Sequence, residues 1–245
     1  MPLLAIETST RQLGVAVLDG ERLLSSYELL AEYPHAVELP DAVTRVLKAA
    51  HTSLEMLEVI VVDIGPCSFT GLRIGLAFVK ALAFPTKKAV VGVPSLDVLA
   101  AGLPFTPHVV CPILDAKQKN VYVARYHLAG QKPVKQSDYF LGPIDNLLAC
   151  LDDGPTVFVG DGCALYRDRI MAQLKENTHI APSEFWLPKA GTLARLGAAR
   201  FAEGQRDDPS QLVPLYLYPL DCSVRGPDRP TSVLSKAAPN PVPAG

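Results

Sequence analysis

The sequence has few of the residues that build metal sites and disulfide frameworks. Its 245 residues include five cysteines, an odd number with no C-x-x-C pair, and five histidines, none of them in an H-E-x-x-H motif. Because the cysteines lie mostly among apolar or small residues, we expect reduced, buried thiols in a cytoplasmic protein. The missing motif makes a zinc peptidase the weakest of the enzymatic interpretations.

Neither sign of charge is in excess, and long apolar runs are absent. Charged residues make up 20% of the chain and the formal net charge is −2. This balance excludes the strongly basic surface expected of a protein that binds nucleic acid unaided. No apolar run approaches the roughly 20 residues that span a bilayer, and a strand begins almost at the first residue. We therefore predict neither a membrane span nor a signal peptide.

The apolar residues that are present, 49% of the chain, suffice for a substantial core. They are arranged in two halves of similar plan, in which three consecutive strands are followed by alternating helices and strands. A proline-containing segment near residues 103–108 separates the halves. We predict an α/β fold with an N-terminal lobe over 1–103, a smaller C-terminal lobe over 104–220 and a disordered tail over 221–245.

The segment GPCSFTGLRIGLAFVKAL, residues 65–82, combines glycines, hydroxyls and an apolar helix. In a functional interpretation, Ser68, Thr70 and the first helical amides bind an anion, and Arg73 adds a positive charge. In a structural interpretation, the loop is a strand-to-helix turn, a hydroxyl caps the helix, and the glycines allow close packing. No Gly-Lys-Ser/Thr follows, so the spacing is not that of a Walker loop. On spacing alone the structural interpretation is favoured.

The opening segment IETST poses the same choice. Glu7 ends a predicted strand, and Thr8 and Ser9 follow it directly. These groups could hold phosphate oxygens and a metal-bound water, but an ordinary polar turn explains them equally well. Alone, the segment favours the turn.

Two helical patterns predict a protein interface. Between residues 72 and 84 only Arg73, Gly75 and Lys80 are not apolar. A helix that is apolar nearly all round has to be buried on more than one face, by its own fold or by another chain. Together with the helical pattern over 35–50, it gives a predicted partner interface made of Leu39, Val43, Leu47, Ile74, Phe78 and Leu82.

Four motifs, LLAIETST, GPCSFTGLRIG, PSLDVLA and LDAKQKNVYVARY, stand in this order between residues 3 and 126, within a resemblance that spans about residues 3–219. In residue type and separation they resemble the bacterial TsaB (YeaZ) family, and GP-x-SFTGLRIG is the most specific of them. The resemblance implies an actin-like (ASKHA) fold with two ribonuclease H-like lobes, consistent with the duplicated plan of strands.

The resemblance also implies a function. TsaB proteins are regarded as non-catalytic paralogues of TsaD, the catalytic subunit that forms threonylcarbamoyladenosine at position 37 of tRNAs reading codons that begin with A. The implied partners are a TsaD-type subunit, a TsaE-type ATPase and, through the complex, tRNA; alone, the chain is expected to form a dimer. No cofactor is implied, although a nucleotide at a partner interface is left open.

Departures from the motifs bear on catalysis. TsaD-type subunits bind a metal through two histidines four residues apart on a helix, since that spacing puts both rings on one face. Here His35 is followed at that distance by Leu39, and no other histidine has such a partner. Cys67 stands where the family usually has glycine, and Tyr218 where arginine is common. The resemblance therefore implies no metal site and no catalysis by this chain.

Two alternatives stay open at this point. The chain could be an actin-fold ATPase or phosphotransferase in its own right, with a metal-bound nucleotide held by the two loops. In the leading interpretation the same loops are a vestige of a nucleotide or phosphate site. A direct tRNA contact through short basic clusters is weaker, because such clusters are more often solvated surface. The loop residues in question are Glu7, Thr8, Ser9, Ser68, Thr70 and Arg73.

Overall fold

A computed structural model describes residues 1–30, 35–103, 105–130, 132–151, 154–174 and 178–218. The predicted tail, 221–245, lies outside these residues. The first series of elements is β1 Pro2–Glu7, β2 Gln12–Asp19, β3 Arg22–Leu30, α1 His35–Ala49, β4 Val59–Asp63, α2 Phe69–Thr86, β5 Ala89–Val93 and α3 Ser95–Ala101. The second series is β6 Val109–Asp115, β7 Asn120–Val123, β8 Tyr126–Ala129, β9 Lys132–Lys135, β10 Phe140–Pro143, α4 Ile144–Ala149, β11 Thr156–Val159, α5 Gly162–Leu174, β12 Thr178–Ile180 and α6 Ala190–Ala202.

The first sheet has the strand order β3-β2-β1-β4-β5. β1, β2 and β3 pair in antiparallel fashion, and β4 and β5 continue the sheet parallel to β1. Asp19-Gly20, a dipeptide typical of hairpin turns, joins β2 to β3, with Gly20 in the left-handed conformation at φ 57°. Every residue of β4 is buried, because helices cover both faces of the sheet. The predicted order of elements in this half is confirmed.

The second sheet repeats this order as β10-β7-β6-β11-β12, with the hairpin β8–β9 attached to β6. The apolar segment 120–128 has the pattern of one continuous strand, but the structure divides it into β7 and β8. The break lies at Arg125, whose backbone N–H donates to Ser137 Oγ at 3.1 Å and whose carbonyl accepts from the Gln136 N–H at 2.7 Å. Two sheets of ribonuclease H-like order make up the predicted actin-like fold.

The end of the described chain returns to the first sheet. Ala190, Leu193 and Ala194 of α6 lie in one apolar cluster with residues of β1, β2, β4 and β5. Beyond α6, Asp207 accepts the Gly92 N–H at 2.7 Å, so this segment also packs on the first lobe. The predicted C-terminal lobe, 104–220, is therefore too long at its C-terminal end. The order of elements could not reveal this, because an amphipathic helix packs equally well on either sheet.

Helix α3 joins the two lobes. Its Asp97 accepts hydrogen bonds from Tyr126 Oη at 2.7 Å and Tyr139 Oη at 2.9 Å, both in the second lobe. The other oxygen of Asp97 pairs with Arg200 of α6 at 2.6 Å, and Arg200 also donates to the Gly92 carbonyl at 3.0 Å. Because every member is paired, this network holds α3, α6 and the second lobe in one arrangement.

The cysteines that the structure describes are free thiols. Cys111 and Cys163 are buried, Cys67 is partly buried and Cys150 is exposed. Burial raises the pKa of the Cys163 thiol to about 12, so it is protonated at neutral pH. The prediction of buried thiols holds for two of the four, and Cys222 lies outside the described residues.

The packing of α6 on the first sheet gives a first prediction. A Cβ at Gly197 would lie 2.3 Å from both Val61 methyl carbons of β4, so Gly197→Ala has to shift the helix or the strand. We expect the free energy of unfolding to fall by about 1–3 kcal/mol, the usual cost of overpacking. Urea unfolding followed by circular dichroism measures it. Gly154→Ala is the control, because nothing lies within 4 Å of its Cβ. Equal midpoints of urea unfolding for both variants would contradict this packing of α6 on the first sheet.

Candidate functional site

The loop between β1 and β2 is packed beneath the first turns of α2. The Thr8 hydroxyl donates to the Gly71 carbonyl at 2.9 Å, and the Ser68 N–H donates to the Ser9 carbonyl at 3.0 Å. A Cβ at Gly71 would lie 2.1 Å from Thr8 O, and one at Gly75 would lie 2.2 Å from Thr8 Oγ1. The two glycines are therefore required for close approach, as the structural interpretation of the segment predicted.

The loop between β4 and α2 ends in a capped helix start. Ser68 is the N-cap of α2, and its Oγ accepts the Gly71 N–H at 3.5 Å. Cys67 is not in the left-handed region, and its side chain packs against the apolar core of the second lobe. A side chain at the position where the family usually has glycine is therefore accommodated without backbone strain. The loop is thus a capped turn with a side chain reaching towards the other lobe.

Two buried carboxyl groups meet at the ends of β1 and β4. Ile6 pairs with Val62 in the parallel register, so the next residues, Glu7 and Asp63, are neighbours. Glu7 Oε1 accepts the Ser9 N–H at 2.6 Å, while Asp63 Oδ1 accepts the Gly65 N–H at 2.7 Å and the Ser95 hydroxyl at 2.5 Å. The remaining oxygens, Glu7 Oε2 and Asp63 Oδ2, have no other hydrogen-bond partner.

The electrostatics of this pair favour one shared proton. Burial and then the charge of Asp63 raise the pKa of Glu7 well above its ordinary value. Burial also raises the pKa of Asp63, but hydrogen bonds from Glu7, Ser95 and the Gly65 N–H favour its ionised form. Glu7 is therefore the residue that keeps the proton. The pair fixes three segments, the β1–β2 loop, the β4–α2 loop and the start of α3.

Sequence reasoning assigned some of these residues correctly and missed others. Glu7, Thr8 and Ser9 lie together and are buried, and the backbone of Ser68 touches them. Thr70 is exposed at the start of α2 and joins no part of the cluster. Asp63 and Ser95 were missed. The sequence did carry a signal for Asp63. It is the only charged residue in the buried strand VIVVD, and it is the last residue of that strand, which pairs with β1.

Arg73 does not belong to the loop, and its predicted role there is wrong. It lies on the outward face of α2, with Cζ 3.6 Å from the centre of the Phe69 ring. Its Nε donates to Tyr216 Oη at 3.2 Å. The reason is helical geometry. Gly71 and Gly75 lie on the face of α2 that contacts the loop, and residue 73 lies on the opposite side of the helix.

Half of the predicted partner interface lies in the core of the chain. Leu39, Val43 and Leu47 are 0%, 4% and 9% exposed, because α1 turns its apolar face onto the first sheet. As surface contacts these three predictions are wrong. Ile74 and Phe78, by contrast, are half-buried on α2, as is Leu82.

The outward face of α2 is an exposed apolar surface, which we call the outer stripe. Phe69 and Phe84 are 52% and 57% exposed, and two small alanines between them are exposed as well. By length and composition α2 could cross a membrane, with a mean hydropathy of 1.2, but helices in the cores of other folds meet the same criterion. The outer stripe consists of the exposed residues Phe69, Ala77, Ala81 and Phe84, while Ile74, Phe78 and Leu82 border it and pack against the apolar core of the first lobe.

The carboxyl pair gives a prediction for pH. Because the pKa of Glu7 is raised in the folded state, the unfolded chain loses this proton first as the pH rises above 4.5, and stability falls. Glu7→Gln keeps an oxygen that accepts the Ser9 N–H, and it replaces the carboxyl group by an amide that does not titrate. We expect the Gln variant to gain stability relative to the wild type as the pH is raised from 5 towards 8, as measured by urea unfolding.

The control is Glu203→Gln, which removes an exposed carboxyl whose pKa is lowered by Lys132. That change should give no stability gain that grows with pH over the same range. Parallel pH profiles for the wild type and Glu7→Gln would show that the folded state holds no such proton.

Comparison with known proteins identifies the family of this chain. The family model for TsaD, tRNA N6-adenosine threonylcarbamoyltransferase, matches residues 29–218. The tRNA threonylcarbamoyladenosine biosynthesis protein TsaB of Bacillus subtilis (strain 168) is 30% identical over 220 residues, which cover 89% of this chain and 94% of that protein. The Escherichia coli (strain K12) protein of the same name is 27% identical over 223 residues, with the same shares covered.

Solved structures agree with this result. YeaZ from Pseudomonas aeruginosa has a TM-score of 0.78 at 28% identity, covering 88% of this chain and 99% of that one. A P. aeruginosa protein described as uncharacterized, with similarity to peptidase YEAZ, has a TM-score of 0.80 at 28% identity and covers 89% and 99%. With its sequence matched over nearly its whole described length, the chain belongs to the TsaB (YeaZ) family of TsaD-related proteins.

Proposed function

We propose that this chain is a non-catalytic subunit of the complex that forms N6-threonylcarbamoyladenosine at position 37 of tRNAs reading codons that begin with A. Membership of the TsaB family supports a role in this biosynthesis. The chain would pair with a TsaD-type catalytic subunit and stabilise it. The observation that carries the proposal is the outer stripe of α2.

The outer stripe has the composition of a helix-docking surface. Its centre carries Ala77 and Ala81, whose small side chains let a partner helix come close, and its ends carry the exposed rings of Phe69 and Phe84. The opposite face of the same helix is held on the first sheet and on the β1–β2 loop. A rigid apolar surface of this kind gains stability when a second chain removes it from water.

The loops support this function better than the enzymatic alternative. An ATPase or phosphotransferase would direct the Thr8 and Ser68 hydroxyls at a phosphate, whereas here the first donates to Gly71 and the second caps α2. Thr8 and Ser9 are fully buried beneath the helix. The alternative requires this packing to open, and saturable ATP hydrolysis lost in Glu7→Gln would support it.

The remaining parts of the proposal concern the assembly. A TsaE-type ATPase and the tRNA would join through the complex and not through this chain alone. Without its partner, the chain would cover the outer stripe by forming a symmetric dimer. The proposed compartment is the cytoplasm, in agreement with the free thiols that the structure describes.

A charge placed in the outer stripe tests the interface. Ala77 is exposed and small, so Ala77→Glu leaves the core intact while burying a carboxylate against the partner. We expect the affinity for the TsaD-type subunit of the same organism to fall by at least about 100-fold, or roughly 3 kcal/mol. Light-scattering chromatography and titration calorimetry of the mixed proteins measure it.

The matched control is Ala172→Glu, an exposed helical alanine of α5 in the second lobe. It should form the complex as the wild type does. If both variants bind equally well, the outer stripe is not the interface. If the wild-type proteins elute separately with and without ATP and magnesium, the subunit proposal itself fails.

A further inference from the structure

We propose that Arg73 is the polar anchor of the partner interface and binds a carboxylate presented by the partner protein. This inference rests on the proposed function, because it takes the outer stripe to be the docking surface. It adds a residue that determines specificity and a chemistry that the partner has to supply.

The side chain of Arg73 is held in place before any partner arrives. Its guanidinium lies over the Phe69 ring at 3.6 Å, and its Nε donates to Tyr216 Oη at 3.2 Å. The Tyr216 ring contacts the Phe69 ring, with 5.4 Å between their centres. Stacking and hydrogen bonding therefore fix one of the longest side chains of the surface, so little of its rotational freedom is left to lose on binding.

The charge of Arg73 has no carboxylate partner within the part of the chain that the structure describes. Two other arginines do have one, since Arg169 pairs with Asp145 and Arg200 with Asp97. Arg73 is thus an oriented positive charge at an apolar surface with its two terminal nitrogens available.

The position of Arg73 on the helix favours a protein carboxylate over other anions. Residues four and eleven positions beyond it, Ala77 and Phe84, lie on the same face, so whatever binds the guanidinium also covers apolar surface. A nucleic-acid backbone could pair with the charge but has no apolar face for these residues. An Asp or Glu at the rim of an apolar helix face supplies both, and its two oxygens match the guanidinium fork.

Arg73→Gln tests this in the full-length chain. We expect its affinity for the TsaD-type subunit to fall by about 10- to 100-fold, mainly through faster dissociation. The dependence of affinity on salt should also become flatter, because an ion pair is lost. Surface plasmon resonance between 50 mM and 500 mM NaCl measures both quantities.

Arg206→Gln is the matched control, since Arg206 is also exposed and stacks on an aromatic ring, Phe201, at 4.1 Å. It should leave the affinity and its salt dependence unchanged. Thermal unfolding of the free proteins at the same salt concentrations shows whether each variant is folded.

Three results would overturn the inference. The first is an Arg73→Gln variant that binds like the wild type, and the second is one that binds more weakly but with an unchanged salt dependence. The third is a change in the salt dependence of thermal unfolding of the free chain, or in its self-association alone, since the carboxylate would then belong to this chain or to a second copy. Failure of the wild type to bind overturns the proposed function, which is a distinct outcome.

Discussion

The contact between the β1–β2 loop and helix α2 is the constraint on which the rest of the site depends. Thr8 touches the helix where Gly71 and Gly75 leave no side chain, and a single added carbon at either position would collide with it. This close approach directs one face of α2 towards the loop and the sheet. Because a helix is rigid, its opposite face is then directed outward, and the outer stripe results.

In the same contact, polar groups of both loops form hydrogen bonds inside the fold. The Thr8 hydroxyl donates to the backbone, the Ser68 hydroxyl caps the helix, and the carboxyl pair of Glu7 and Asp63 is enclosed. A buried pair of like acids is stable only when the two groups share a proton. The pair therefore favours a closed loop, but it also makes the stability of the fold decrease as the pH rises. The polar loop is thus a structural support, and the surface available for binding is apolar and lies outside it.

Sequence patterns were reliable where a local rule decides the outcome. The duplicated order of strands and helices, the hairpin at Asp19-Gly20 and a hydroxyl cap at the start of α2 follow from periodicity and turn chemistry, and the structure has all three, with Ser68 as the cap. They were unreliable for the direction of individual side chains. Leu39 and Val43 have the same apolar character as Ile74 and Phe78, yet the first pair is enclosed and the second is half-buried.

By itself, the sequence determined the fold class, the family and the presence of a helix too apolar for one buried face, because these depend on composition and on spacing along the chain. The tertiary structure alone decided that α6 packs on the first sheet, that Glu7 faces Asp63, and that Arg73 points away from the loop. Each of these depends on which residues distant in sequence become neighbours. That is fixed by the packing of sheets and helices against one another, for which a single sequence carries no local signal.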